Sequence, residues 1–195
     1  FTFPDKYLLS PADVGDDKLD NDLTQANGSF TTDIITLQGG ENNEDIDAGV
    51  YGKPIEIGDF VWIDLDRNGM QDVGEPGIND LTLHLYDIND NLITSLTSAT
   101  NPTSGTDGYY YYNPINPGSY YMVLEYPDHF EPTIADMIGS IEFDSDLTGF
   151  YGPGSTDMFL LDYGTSALNI DFGLVYKTGS IGDFVWEDIN ENGLQ

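Results

Sequence analysis

The chain has 195 residues, with five Lys and Arg against 35 Asp and Glu, a net charge of −30 and no cysteine. A surface this acidic excludes nucleic acid, whose phosphates need basic partners, and is repelled by anionic membranes. No thiolate is present to hold zinc, attack a substrate or close a disulfide, and no run of 18 apolar residues offers a membrane-spanning helix.

So much like charge repels itself, and a compact state calls for bound cations. The chain opens at Phe1 without an initiator Met or signal peptide and is expected to be a piece of something longer. Over residues 1–52 the oxygen-rich features are Asp20-Asn21-Asp22 and Ile46-Asp47. Residues 56–63, E-I-G-D-F-V-W-I, then read as a strand, short and rich in β-branched and aromatic residues.

Directly after it, residues 64–75 read D-L-D-R-N-G-M-Q-D-V-G-E. Counted from Asp64, oxygen side chains stand at positions 1, 3, 5, 9 and 12: Asp64, Asp66, Asn68, Asp72 and Glu75. Gly69 holds position 6, and Met70 holds position 7, where a backbone carbonyl serves. This is the ligand spacing of a twelve-residue calcium loop. A hard cation of this size takes roughly six to eight oxygens, and alternate residues of a curling loop point inward. Glu75 is long enough to close the site with both oxygens, and Gly69 supplies a turn that other residues resist. Arg67 stands at an outward position. A solvated acidic turn is the plainer reading of D-x-D-x-N-G alone, but here every ligand position agrees. Pro76 and Gly77 oppose a following helix. The loop is therefore embedded between β elements, which favours a structural ion over a switch.

Further on, residues 81–86 alternate, 87–91 form a polar turn and 92–96 a second strand. Residues 101–108 are rich in turn formers, and the tyrosines at 109–112 must place two rings outward. Residues 120–125, 157–161 and 168–174 supply the last strands. No stretch gives a long amphipathic helix; 128–146 is the least readable part, with a short helical turn as one option. Short strands at near-regular spacing predict an all-β, antiparallel sandwich.

The chain also carries its own repeat. I-G-D-F-V-W at residues 57–62 returns at 181–186, 124 positions on. The same offset carries Asp20, Asp22, Leu23 and Thr24 onto Asp144, Asp146, Leu147 and Thr148, and Asp33 onto Asp157. It carries Ile46, Asp47 and Gly49 onto Ile170, Asp171 and Gly173, and Asp64, Asp66, Asn68, Gly69 and Gln71 onto Asp188, Asn190, Asn192, Gly193 and Gln195. With a one-residue slip, Pro4-Asp5 and Ala12-Asp13 match Pro127-Asp128 and Ala135-Asp136. Residues 1–52 are therefore expected to be the back part of one copy, 53–177 a complete copy and 178–195 the start of a third, in tandem with short linkers. Candidate metal ligands fall into three groups. The first is the 64–75 loop, and the second is its image Asp188, Asn190 and Asn192. The third is Asp20, Asp22 and Asp47, with its partner set Asp144, Asp146 and Asp171, to which Asp59 and Asp183 can add. Solvated loops are the alternative for the third group.

Three features together resemble a known family: I-G-D-F-V-W-x-D ahead of an acidic N-G loop, Thr106-Asp107-Gly108-Tyr109 with Pro117-Gly118-Ser119-Tyr120, and Ile170-Asp171-Phe172-Gly173-Leu174. The chain resembles the calcium-binding B-type repeats of serine-aspartate-repeat surface proteins, within the collagen-adhesin B-type group. The resemblance implies tandem, calcium-stiffened, immunoglobulin-like or transthyretin-like sandwich modules that project a binding head from a cell surface. Many modules of that group carry a Lys–Asn isopeptide bond. Residues 57–63 hold no lysine, and the lysines of the chain are Lys6, Lys18, Lys53 and Lys177, so calcium is expected as the staple instead. The chain holds no serine-aspartate tract and no sorting signal.

Little points to catalysis. His84 reads as an outer-face strand residue and His129 as a loop residue, with neither metal-pair spacing nor a nucleophile motif. A glycosidase-like carboxylate pair stays open among 35 acids, but acidic pairs in repeated loops suit ion binding better. Asp107 reads as a turn residue bonding its own backbone, and Trp62 and Trp186 as core residues. The expectation is a non-enzymatic, extracellular, calcium-binding spacer of an adhesin or surface filament. Its partners are neighbouring copies in the same chain, with other copies in a filament or a host or matrix ligand as further candidates. An accessory module of a large secreted carbohydrate-active enzyme and a self-assembling filament or sheath subunit are the rival readings.

Overall fold

The computed structural model describes residues 1–16, 18–135, 142–189 and 191–194. Asp136, Asn190 and Gln195, matched between copies above, lie outside the described residues, as does part of the 128–146 stretch. The described strands are, in order, β1 (Tyr7–Leu9), β2 (Val50–Gly52), β3 (Ile55–Ile63), β4 (Thr82–Asp87), β5 (Leu92–Thr97), β6 (Tyr109–Ile115), β7 (Gly118–Glu125), β8 (Phe130–Pro132), β9 (Phe159–Leu161), β10 (Ser166–Ala167) and β11 (Phe172–Tyr176).

Strand β3 serves two faces. Ile55, Ile57 and Val61 point into the core, while the alternation of the pleat sends Trp62 to the opposite face, where it too is fully buried. Along one edge β3 pairs antiparallel with β6, Phe60 opposite Tyr109 and Ile57 opposite Tyr112. Along the other it pairs with β10, Ser166 opposite Glu56, and then with β11, Phe172 opposite Val61 and Leu174 opposite Ile63. Both of these pairings are parallel, a departure from the expected all-antiparallel sandwich. Parallel neighbours need a long crossover, and here everything between β3 and β10 serves as one. Strand β8 extends this sheet beyond β11. The facing sheet, in the order β5-β4-β7-β9, is antiparallel throughout.

Between the sheets, Leu83 and Leu85 of β4, Met122 and Leu124 of β7 and Leu161 of β9 close on Ile55, Ile57, Val61, Tyr110, Phe172 and Leu174. Each fully buried aliphatic side chain contributes about 1.5–3 kcal/mol relative to exposure. Tyr109 and Tyr111 point outward and stack at 6.3 Å, while Tyr110 fills the core. His84 lies on the outer face of β4, its Nε2 3.1 Å from Glu125 Oε1.

One expectation is corrected: the unreadable 128–146 stretch contains a strand, β8, which exists because β11 pairs with it. Residues 181–186, the sequence twin of β3, form no strand in this chain, and Trp186 is 47% exposed. Among the described residues no sheet neighbour reaches this stretch.

Candidate metal centre

Just past the end of β3, the Asp64 N–H still donates to the Leu174 carbonyl at 2.9 Å, so the first acidic residue of the loop is anchored on the sheet. The chain then turns at Arg67 and Gly69, with φ of 64° and 83°. A side chain at Gly69 is excluded by this φ and by the Ile134 carbonyl, which would lie 2.5 Å from a Cβ. The loop leans on residues 143–145: Gln71 N–H donates to Phe143 O at 2.7 Å and Ser145 N–H to Gly69 O at 3.1 Å. Its far end returns to Ile63, whose N–H donates to Pro76 O at 2.9 Å.

Asp64 is only 2% exposed. One carboxylate oxygen accepts the N–H of Arg67 at 2.6 Å and of Asn68 at 3.3 Å; the other accepts the Gly69 N–H at 2.8 Å and the Thr133 hydroxyl. Burial pushes this carboxyl up, but the Thr133 hydroxyl and the three N–H groups outweigh it and hold it below the usual carboxylate range. The other ligand positions face one another. The Asn68 amide donates to Asp66 at 3.2 Å and to Asp72 at 2.7 Å, and its oxygen accepts the Met70 N–H at 2.7 Å. Glu75 spans the mouth of the loop, one oxygen on the Leu65 N–H at 2.7 Å and the other on the Asp72 N–H at 2.9 Å. The Met70 carbonyl belongs to the non-hydrogen-bonded pair of a bridge with Asp144. Arg67 points away, to Glu131 at 3.5 Å and to the Tyr176 carbonyl.

Ligand atoms of Asp64, Asp66 and Glu75 all lie within 4.8 Å of one another, the one such group among the described residues. Oxygens about 2.4 Å from a shared ion are at most about 4.8 Å apart, so the group can hold one cation of calcium size. Its donor set, carboxylates with an amide oxygen, is that of a hard ion.

A second acidic cluster lies on the same sheet. Asp146 N–H donates to Asp171 O at 2.8 Å, and Asp171 N–H returns to Asp146 Oδ2 at 2.7 Å. Asp171 is buried, with one oxygen on the Phe60 N–H at 3.2 Å. Burial first, then the nearby charge of Asp59, pushes its carboxyl up to about 8; burial alone lifts Asp59 to about 6. Asp144 is buried beside them, and Asp59 lines an open cleft of about 390 Å³ with Glu142 and Phe143.

In the N-terminal stretch the reciprocal pair recurs: Asp22 N–H donates to Asp47 O at 3.0 Å and Asp47 N–H to Asp22 Oδ2 at 2.6 Å, while Asp20 and Asp47 line one cleft. At the other end, Asp188 accepts the N–H of Asn192 at 3.2 Å and of Gly193 at 2.7 Å; Asn190 lies outside the described residues. Sequence reasoning missed Thr133, which holds Asp64 from 69 residues away, and Ser145, whose hydroxyl accepts the Gly173 N–H at 3.1 Å. No local pattern marks either.

Residues 55–174 match the model of the SdrD B-like domain. The chain is 33% identical over 197 residues to serine-aspartate repeat-containing protein F of Staphylococcus epidermidis, covering 100% of this chain and 10% of that protein. It is 33% identical over 194 residues to serine-aspartate repeat-containing protein D of Staphylococcus aureus strain Newman, covering 98% of this chain and 13% of that protein. It thus spans about a tenth of the length of the curated relatives it matches. Membership of this family places the chain extracellularly, at the cell surface. No helix among the described residues is long and apolar enough to cross a membrane.

Proposed function

The chain belongs to the family of SdrD B-like domains, and on that footing we propose that it is a calcium-binding structural module that spaces and stiffens an adhesin or surface filament, with no catalytic role. The observation that carries this reading is the 64–75 loop, where a buried, sheet-anchored Asp64 stands with Asp66 and Glu75 within the reach of one ion. Asp64, Asp66, Asn68, Asp72, Glu75 and the Met70 carbonyl supply the oxygens. Calcium would neutralise carboxylates whose close pairs each cost up to roughly 4 kcal/mol at an effective dielectric of about 20. Through the contacts of Asp64 with β11 and Thr133, and of the loop with residues 143–145, the ion would join segments far apart in sequence. Among the described residues only the 64–75 group brings three carboxylates within reach of one ion, so the reading rests on that site and not on Asp144, Asp146, Asp171 and Asp59.

Residues 1–52, 53–177 and 178–195 are, in this reading, successive copies, and neighbouring copies are the partners. Matched bonds support it. Lys53 N–H to Lys6 O and Lys177 N–H to His129 O are both 2.9 Å; Ser10 N–H to Gly49 O and Thr133 N–H to Gly173 O are both 3.0 Å. Thermal unfolding with calcium and with chelator tests the metal. At about 100-fold excess over Kd each site adds roughly 2.7 kcal/mol, so chelation should lower Tm. Asp64→Ala and Glu75→Ala should remove most of that response and Arg67→Ala little of it. A Tm indifferent to chelator would overturn the reading.

A further inference from the structure

The 162–165 turn between β9 and β10 is held by its own bonds: Asp162 N–H donates to Thr165 Oγ1 at 3.1 Å, Thr165 N–H to Asp162 O at 3.0 Å, and Tyr163 N–H to Asp162 Oδ1 at 2.8 Å. It forms a preset knob, and what it touches is the N-terminal stretch. The Tyr163 ring lies on Gly52, so closely that a Cβ there would sit 2.0 Å from the ring. It also meets the Tyr7 ring at a tilt of 47°, centroids 6.2 Å apart. Gly164 lies under Lys6, whose Cα would be 3.2 Å from a Cβ on that glycine. Lys6 Nζ donates to Asp162 at 2.8 Å. That ion pair is half exposed and contributes little on its own; the seated ring does more, because it fits only where the side chain is absent.

We propose that this turn is the surface on which the preceding copy of the domain docks, and that the residue ending the last strand of each copy decides whether the docking ring can seat. The inference rests on the tandem reading above and is independent of the metal.

The comparison within the chain carries it. Tyr7 pairs with Gly52 in the β1–β2 ladder, and Phe130 pairs with Tyr176 in the β8–β11 ladder, at the matching place. Where the first ladder ends in glycine, the second ends in Tyr176, whose ring stacks on Phe130 at 4.8 Å and on His129 at 6.2 Å. Tyr176 covers with its own ring the aromatic residue that, at the other end, is met by a ring from the following domain. A turn like 162–165 cannot seat there as it does on Gly52. Junctions of two kinds result: one locked by a borrowed tyrosine and one capped from within. The contact involves no candidate metal ligand, so its geometry is set by side-chain volume.

The cysteine-free chain allows a clean test. Spin labels at Leu19→Cys and Leu92→Cys, both exposed, report the distance between the two halves of the intact 195-residue chain. The wild-type background should give one narrow distribution in calcium. Gly52→Tyr, which copies the second junction, and Tyr163→Ala, which leaves the β1–β2 ladder untouched, should each lose that narrow peak while keeping the Tm response to chelator. Asp162→Asn should retain the peak. If the metal reading fails, Tm will ignore chelator while both variants still broaden the distribution. A distribution already broad in the wild-type background, or one as narrow in Gly52→Tyr and Tyr163→Ala, overturns the proposal.

Discussion

Two stretches of the chain share nearly one sequence and take different structures. Residues 57–64 read I-G-D-F-V-W-I-D and residues 181–188 read I-G-D-F-V-W-E-D. In the first, Ile57, Val61 and Trp62 are all at 0% exposure inside a sheet; in the second, Ile181 and Val185 are fully exposed. The loops that follow nonetheless curl alike. Gly69 N–H reaches Asp64 at 2.8 Å and Gly193 N–H reaches Asp188 at 2.7 Å; Met70 N–H meets Asn68 at 2.7 Å and Leu194 N–H meets Asn192 at 2.8 Å. The turn is therefore a local property of the D-x-x-x-N-G spacing, whereas the strand and the seating of its loop are tertiary. Strand propensity is fitness for a pleated, packed surface, and without β6, β10 and β11 alongside, the same residues stay open.

The sharpest way to break the comparison is to remove the same carboxylate from each loop. Asp64→Ala strips the acceptor from three N–H groups and the Thr133 hydroxyl. In urea unfolding it should cost about 3 kcal/mol, whereas Asp188→Ala should stay within about 0.5 kcal/mol. A smaller contrast separates the glycines. Gly69→Ala meets both a positive φ and the Ile134 carbonyl and should cost about 2 kcal/mol. Gly193→Ala, with φ of 75° but open space around it, should leave global unfolding nearly unchanged.

A further break is in pH dependence, read in chelated protein. Asp171 at about 8 and Asp59 at about 6 both lie above the unfolded value of about 3.9. The native state therefore binds more protons than the unfolded chain, so stability should fall as pH rises from about 4 to about 8. Asp171→Asn should flatten the upper part of that fall. A melting temperature that rises over this range would show that these carboxyls are not buried as described.

What the sequence made legible follows the same division. The strand 56–63 and the turn of the loop 64–75 could be read because alternation and oxygen spacing are local, and Arg67 points away from the candidate ligands as expected. The Thr133 hydroxyl on Asp64 and the parallel pairing of β3 with β11 could not, since both depend on residues more than 60 positions away. Residues 128–146 resisted reading because Phe130–Pro132 is a strand only through β11. Trp186 shares the motif of Trp62, but among the described residues no strand lies alongside to bury it. Asp59 was visible as a candidate, but its burial beside Asp171 belongs to the packing of β3 against the end of the sandwich.

Amide hydrogen exchange across residues 64–75 and 188–194, followed in one sample with calcium and then with chelator, tests the central claim most directly. The account predicts strong protection of the Asn68 and Gly69 amides in calcium, a marked loss of that protection on chelation, and rapid exchange at 188–194 in both conditions. Equal protection of the two stretches, or protection at 64–75 that chelator does not change, would contradict it.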